Sequence, residues 1–239
     1  MKISAENKSF SQLNEIIRNA KEEISVDNCL GQRFLCAGMK TGKVSLNGIP
    51  GNALGAYLTG GKITVFGNTQ DAVGDTMNEG SIIIHGNTGD AAGYAMRGGE
   101  ILIKGNAGYR AGIHMKAYEE KQPLIIIGGR AGSFLGEYQA GGLIIVLGLN
   151  RDNKPPVGNF PCTGMHGGRM IIRGNIDNIE FPEQTTVKKA EDDDLKDIYP
   201  HIRRFCRLFG YDYTEVAASD FYVITPDTKN PYKQLYVAN

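Results

Sequence analysis

The sequence predicts an all-β fold: a right-handed parallel β-helix (solenoid) of about seven coils, with short helical segments at both ends. Three observations predict it. Thirty-one of the 32 glycines fall between Gly31 and Gly174. Seven segments in that stretch alternate apolar and other residues between glycines. The closing glycines Gly48, Gly67, Gly86 and Gly105 recur every 19 residues. Such a period marks a stacked repeat, because one short strand with its bends cannot bury an apolar side alone.

The elements follow in order. Residues 1–30 form an N-terminal helical segment, in which Ser9 and Gln12 read as a capping box ahead of Leu13, Ile16, Ile17, Ala20 and Ile24 at helical spacing. Residues 31–175 hold the repeat. Its strands are GKVSLNG (42–48), GKITVFG (61–67), GSIIIHG (80–86), GEILIKG (99–105), QPLIIIG (122–128), GLIIVLG (142–148) and GRMIIRG (168–174). Gln122 replaces one opening glycine, and Gly128, Gly148 and Gly174 follow at 23, 20 and 26 residues, which reads as loop insertions. Gly55, Gly74, Gly93 and Gly112 keep the same period, as do Leu58, Met77, Met96 and Met115. Residues 176–239 form a helical and extended tail expected to pack on the solenoid. It carries Leu195, Ile198, Ile202, Phe205 and Leu208, a stop at Gly210, and a break at Pro200.

Stacking at ~4.8 Å per coil gives a rod roughly 30 Å long, right-handed by the crossover rule. The inward pairs are then Val44/Leu46, Ile63/Val65, Ile82/Ile84, Ile101/Ile103, Leu124/Ile126, Ile144/Val146 and Met170/Ile172. The methionines fill the gap opposite, and Asn68, Asn87 and Asn106 share amide hydrogen bonds between coils. A doubly wound α/β domain is the competing fold. Its nearest phosphate-loop lookalikes, GAYLTGGK (55–62) and GMKTGK (38–43), depart from the motif's spacing and precede strands rather than helices.

The outer face is the second informative feature. Ser45 and Thr64 are polar there, but from the third coil Ile83, Leu102, Ile125, Ile145 and Ile171 are apolar, joined by Ile127, Leu143 and Leu147. A patch of that kind is covered in a soluble protein. The first expectation is a cover by the chain's own terminal helices, and the second is a permanent partner subunit.

Composition narrows the function. Twenty-six basic and 26 acidic residues give zero formal charge, which argues against nucleic acid or an anionic membrane surface as partner. The four cysteines form no C-x-x-C pair, and no stretch approaches 18 apolar residues, so a cytoplasmic protein is expected. No nucleophile elbow, H-E-x-x-H or triad is present, and no catalytic, cofactor or metal residue is assigned. Interface or ligand candidates remain. Asp71 and Asp90, 19 residues apart, should stack with Asp75 nearby, binding either bend amides or a divalent cation. Arg110, Lys116 and Lys121 surround the first insertion and either receive an anion or are simply solvated loop side chains. His114 and His166 each follow a bend glycine by two residues and are placed on one edge of the rod, while His85 reads as a surface side chain.

The run GNTQDAVGDTMNEGSIIIHGNTGDAAGYAMRGGEILIKGNAGYRAGIHMK (67–116), with GGRAGSFLGEYQAGG (128–142) and TGMHGGRMIIRG (163–174), resembles the C-terminal GXGXG (β-helix) domain of the glutamate synthase large subunit. A weaker resemblance is to the formylmethanofuran dehydrogenase subunit that shares this fold and glycine pattern. The first implies a free-standing, non-catalytic scaffold of a split glutamate synthase-like complex. It would position a glutaminase and an FMN synthase, with FMN and the iron-sulfur cluster in a partner subunit, and serve ammonia assimilation and glutamate biosynthesis. The second implies a component of a formylmethanofuran dehydrogenase-type complex. A stand-alone β-helix enzyme acting on carbohydrate is a further alternative, and exposed end coils make a homo-oligomer possible.

Overall fold

The computed structural model describes residues 1–150 and 154–227. Residues 228–239, the end of the tail expected over 176–239, lie outside the described residues.

Among the described residues, nine strands run parallel and pair in chain order: β1 (Lys2–Ser4), β2 (Ile24–Leu30), β3 (Lys43–Ile49), β4 (Thr59–Phe66), β5 (Glu79–Ile84), β6 (Glu100–Ile103), β7 (Leu124–Ile127), β8 (Ala140–Val146) and β9 (Gly167–Arg173). The stack therefore starts earlier than the seven glycine-flanked segments, with β1 and β2 in the stretch read as helical. Between those two lies α1 (Phe10–Asn19), where Ser9 and Gln12 form the capping box. Ile24 belongs to β2, not to the helix.

Inside the solenoid, Val44, Ile63, Ile82, Ile101, Ile125, Ile144 and Met170 pair in one row. Leu46, Val65, Ile84, Ile103, Ile127, Val146 and Ile172 form a second. All are buried. The coil of β7 corrects the sequence reading, because Ile125 and Ile127 point inward, while Leu124 and Ile126 face outward. The reason is the double glycine. The Gly129 N–H, not that of Gly128, donates to Gly105 O at 2.8 Å, and Gly148 N–H donates to Gly129 O at 3.1 Å. Measured from Gly129, the next coil returns to the regular period.

The glycines have a steric reason. A Cβ on Gly86, Gly105 or Gly129 would sit 2.4, 2.3 or 2.2 Å from the Oδ1 of Asn68, Asn87 or Asn106. Those oxygens accept from the backbone N–H groups of Asn87, Asn106 and Arg130 at 2.7–2.8 Å. The asparagine ladder thus joins side chain to main chain, one coil to the next.

At the first coil the stack is capped by α1. Asn14 acts as a surrogate peptide: its Nδ2 donates to Phe34 O at 2.8 Å and its Oδ1 accepts from Cys36 N–H at 2.8 Å. In every later coil the amide equivalent to that of Cys36 donates to a carbonyl of the coil before, as Gly55 does to Leu35. Side-chain amides satisfy an exposed edge in this way without adding a strand.

The methionine column is Leu58, Met77, Met96, Met115, Gln139 and Met165, so one polar residue sits in an apolar row. Gln139 is fully buried, its Nε2 donates to the carbonyls of Gly141 and Gly142 at 3.2 Å, and its Oε1 has no partner among the described residues. A buried unpaired acceptor costs about 1–3 kcal/mol. Gln139→Met is therefore expected to raise stability by about 1 kcal/mol, seen as a higher midpoint of thermal unfolding; a lower midpoint would contradict the packing described here.

The tail returns to the stack. β10 (Thr185–Lys189), α2 (Asp192–Leu195), α3 (Tyr199–Phe209) and α4 (Tyr213–Ala217) lead to β11 (Phe221–Pro226), which pairs antiparallel with β9 and carries β10 on its far side. Pro200 lies in the first turn of α3 and separates it from α2, and Gly210 ends α3 in the left-handed region at φ 77°. Ile202, Phe205 and Phe209 of α3 share one buried cluster with Ile83, Leu102, Leu124, Ile126, Ile145, Leu147 and Ile171. The chain's own tail covers the apolar outer face. Among the described residues, no helix is long and apolar enough to cross a membrane.

Candidate functional site

The bends opposite the strands place three residues per coil in the left-handed region, spaced by two. One column runs through Ala53, Ala72, Ala91, Arg110, Phe134 and Phe160, and another through Tyr57, Thr76, Ala95, His114 and Tyr138. A left-handed backbone costs a side chain roughly 1 kcal/mol or more, so the fold accepts this repeatedly to close each coil.

Asp71 and Asp90 lie on successive coils, as their spacing requires, and the Oδ1 atoms accept from the backbone N–H groups of Asp90 and Tyr109 at 2.9 and 2.7 Å. Gly89 and Gly108 make room for them, since a Cβ there would lie 2.1 and 2.2 Å from the two oxygens. The aspartates thus repeat the asparagine device. Among the described residues, no group of three or more His, Cys, Asp and Glu is placed to hold a metal ion.

Arg110 and His114 enter an aromatic strip on the later coils. Arg110 Nε donates to Glu137 at 3.0 Å and its guanidinium lies 4.8 Å from the Phe134 ring, which meets Phe160 at 5.3 Å. His114 stacks on Tyr138 at 5.0 Å and meets Tyr94 edge-on at 6.0 Å. Lys116 is exposed beside this strip. His166 is in a different column. The residue equivalent to His114 is Tyr138 and then Gly164, because the bend of Gly112 corresponds to Cys162 two coils on. His166 Nδ1 lies 3.0 Å from Gly164 O. Equal distance from a glycine does not mean equal register, since the second insertion moves the glycine.

Sequence reasoning missed two polar features. Glu137, only 9% exposed, anchors Arg110; nothing in a glutamate between two bend residues announces that. The second is the clasp between tail and stack, in which Arg204 binds Glu100 through both guanidinium nitrogens and Arg169 binds Asp197. Burial works against the Glu100 carboxylate, but the hydrogen bonds from Arg204 and the charges of Arg204 and His201 more than offset it and hold its pKa below the usual value. His201 has its pKa lowered, first by burial, with Asp197 and Glu100 opposing. His85 is not a free surface group: it stacks on Phe66 at 4.8 Å and meets Phe209 at 5.2 Å, and burial lowers its pKa too.

The sign of the pH effect follows. A histidine with a depressed folded pKa leaves the unfolded chain binding more protons, so stability is lost as pH falls below about 6.5. A carboxylate with a depressed pKa loses its contribution as pH falls below about 4.5. Denaturant unfolding is thus expected to show falling stability below neutrality, and His201→Gln to flatten the upper part of that fall. An unchanged profile in the variant would contradict the assignment.

The four thiols are buried. Burial pushes Cys29 up to about 11 and Cys36 and Cys162 up to about 12, and raises Cys206 as well, so none is a thiolate near neutral pH.

Fold and side chains together define a parallel β-solenoid whose regular polar columns join its own coils. The GXGXG motif family matches residues 2–228, and the chain belongs to that family. It is 41% identical over 248 residues to the uncharacterized protein MJ1350 of Methanocaldococcus jannaschii, covering 98% of this chain and 95% of that protein. Its fold is similar to a chain of the formyltransferase/hydrolase complex (FhcABCD) from Methylorubrum extorquens in complex with methylofuran. The TM-score there is 0.64 at 20% identity, over 82% of this chain and 71% of that one.

Proposed function

We propose that this chain is a scaffold subunit without a reacting group of its own, positioning a glutaminase and an FMN-dependent synthase in a split glutamate synthase-like complex of the cytoplasm. The observation that carries the reading is the stack itself: the asparagine and aspartate oxygens are spent joining coils and the thiols are buried, while the paired strands leave few places to bend. A body of that stiffness holds two partners at a fixed separation, which is what transfer of a reactive intermediate between sites needs. Membership of the GXGXG motif family supports it.

A second reading is favoured by one observation, the fold likeness to a chain of the formyltransferase/hydrolase complex. In that case the chain is the β-helix component of a formylmethanofuran dehydrogenase-type assembly. Purification from the native source with mass-spectrometric identification of the partners separates the two. A flavin synthase and a glutaminase support the first, molybdenum or tungsten proteins the second, and a lone chain that hydrolyses glutamine or acts on carbohydrate overturns both.

A further inference from the structure

A cavity of about 720 Å³ lies between the C-terminal half of α1 and the first full bend, at the open end of the solenoid. Elsewhere each bend is covered by the coil before it; here α1 crosses only part of the section and reaches the bend through Asn14. The uncovered stretch is residues 38–43, the GMKTGK segment set aside above as an incomplete phosphate loop.

Three properties of this cavity converge. Its inner wall is apolar, with Ile17, Ile24, Met39 and Val44 among the lining residues. Arg18, Lys21, Lys40 and Lys43 also line it, and none makes an ion pair with the described residues; Glu22 and Glu23 are the carboxylates present. The third property is a backbone donor. In later coils the amides equivalent to that of Lys40, those of Thr59, Asn78, Arg97, Lys116, Ala140 and His166, each donate to a carbonyl of the preceding coil. Before Lys40 there is no such coil, and its N–H has no acceptor among the described residues.

We infer that this cavity binds a small organic oxyanion, a carboxylate or phosphate carried on an apolar body. The volume is within the range of small-molecule sites, which pair an apolar wall with a few placed polar groups. An oxyanion accepts from the Lys40 N–H in place of the missing carbonyl and is neutralised by Lys40 and Lys43, while its apolar part lies against Met39 and Ile17. Charge-assisted hydrogen bonds of this kind are stronger than neutral ones.

The test is an amide-shift titration of the full chain with sodium octanoate, octanol and inorganic phosphate. The expected result is a saturable shift of the Lys40, Thr41 and Gly42 amides with octanoate, at least tenfold tighter than with octanol or with phosphate alone. Octyl phosphate distinguishes the two headgroups. Lys40→Glu/Lys43→Glu, at exposed positions, is expected to weaken octanoate at least tenfold with an unchanged melting temperature, and Ala37→Trp to fill the space and abolish the shift. No saturable shift, or affinity unchanged in the double variant, overturns the inference. So does a double variant that binds as before but self-associates, which would assign the cations to keeping solenoid ends apart.

Discussion

Replacing Ile145 by lysine is expected to unfold the protein. Ile145 is fully buried on the outer face of β8, beneath α3, in the cluster that contains Ile202, Phe205 and Phe209. The substitution removes a large apolar contact and places an ammonium within a buried hydrophobic cluster. Loss of the isoleucine alone costs about 2–5 kcal/mol, and an unpaired buried charge adds several more. A domain is stable by only about 5–15 kcal/mol in all. Circular dichroism should show a lost or strongly lowered transition. Thr64→Lys, on the same face of an earlier coil and only half-buried, supplies the control and should melt close to wild type. A folded Ile145→Lys chain with an unchanged transition would mean that α3 does not hold this face.

Gly67→Ala is the second large effect. A Cβ there lies 2.2 Å from Gly48 O, a backbone atom of the adjacent coil that cannot rotate away. Relief requires the two coils to separate, which strains the hydrogen bonds on either side. We expect a loss of about 3 kcal/mol or more, at the upper end for overpacking. Gly38→Ala is the informative comparison: Gly38 has φ 65°, yet a Cβ there meets nothing within 4 Å. It carries only the left-handed penalty, about 1 kcal/mol. Equal losses at the two positions, measured by denaturant unfolding, would show that crowding between coils is not what selects glycine.

These two sites also show what the sequence makes legible. Gly67 belongs to a fixed period, and a fixed period survives translation into space, so Ile63, Ile82 and Ile101 stand in a row as the repeat requires. Where the period breaks, inference fails locally. Gly128 and Gly129 both suit a closing glycine, and choosing between them decides which face of β7 is inside; only the hydrogen bond to Gly105 settles it. His114 and His166 look paired in the sequence and separate in space for the same reason. β2 is hard to see because Cys29 stands where the next coil has its closing Gly48, no glycine opens the strand, and Ile24 fits a helical spacing as well as a strand. Asn14, Glu137 and the clasp of Arg204 on Glu100 are illegible in a stronger sense. Each joins residues far apart in the chain without repeating, so no periodicity records them. The apolar outer face, by contrast, announces that something covers it and leaves open what.

The scaffold assignment is tested most directly by reconstitution. Glutamine-dependent glutamate formation is measured for the proposed partners, a glutaminase and an FMN synthase, with and without this chain. The proposed partners alone are expected to hydrolyse glutamine, and to use added ammonia, but to transfer nitrogen between them efficiently only when this chain is present. Equal coupling in its absence would contradict it, as would either reaction carried out by this chain alone.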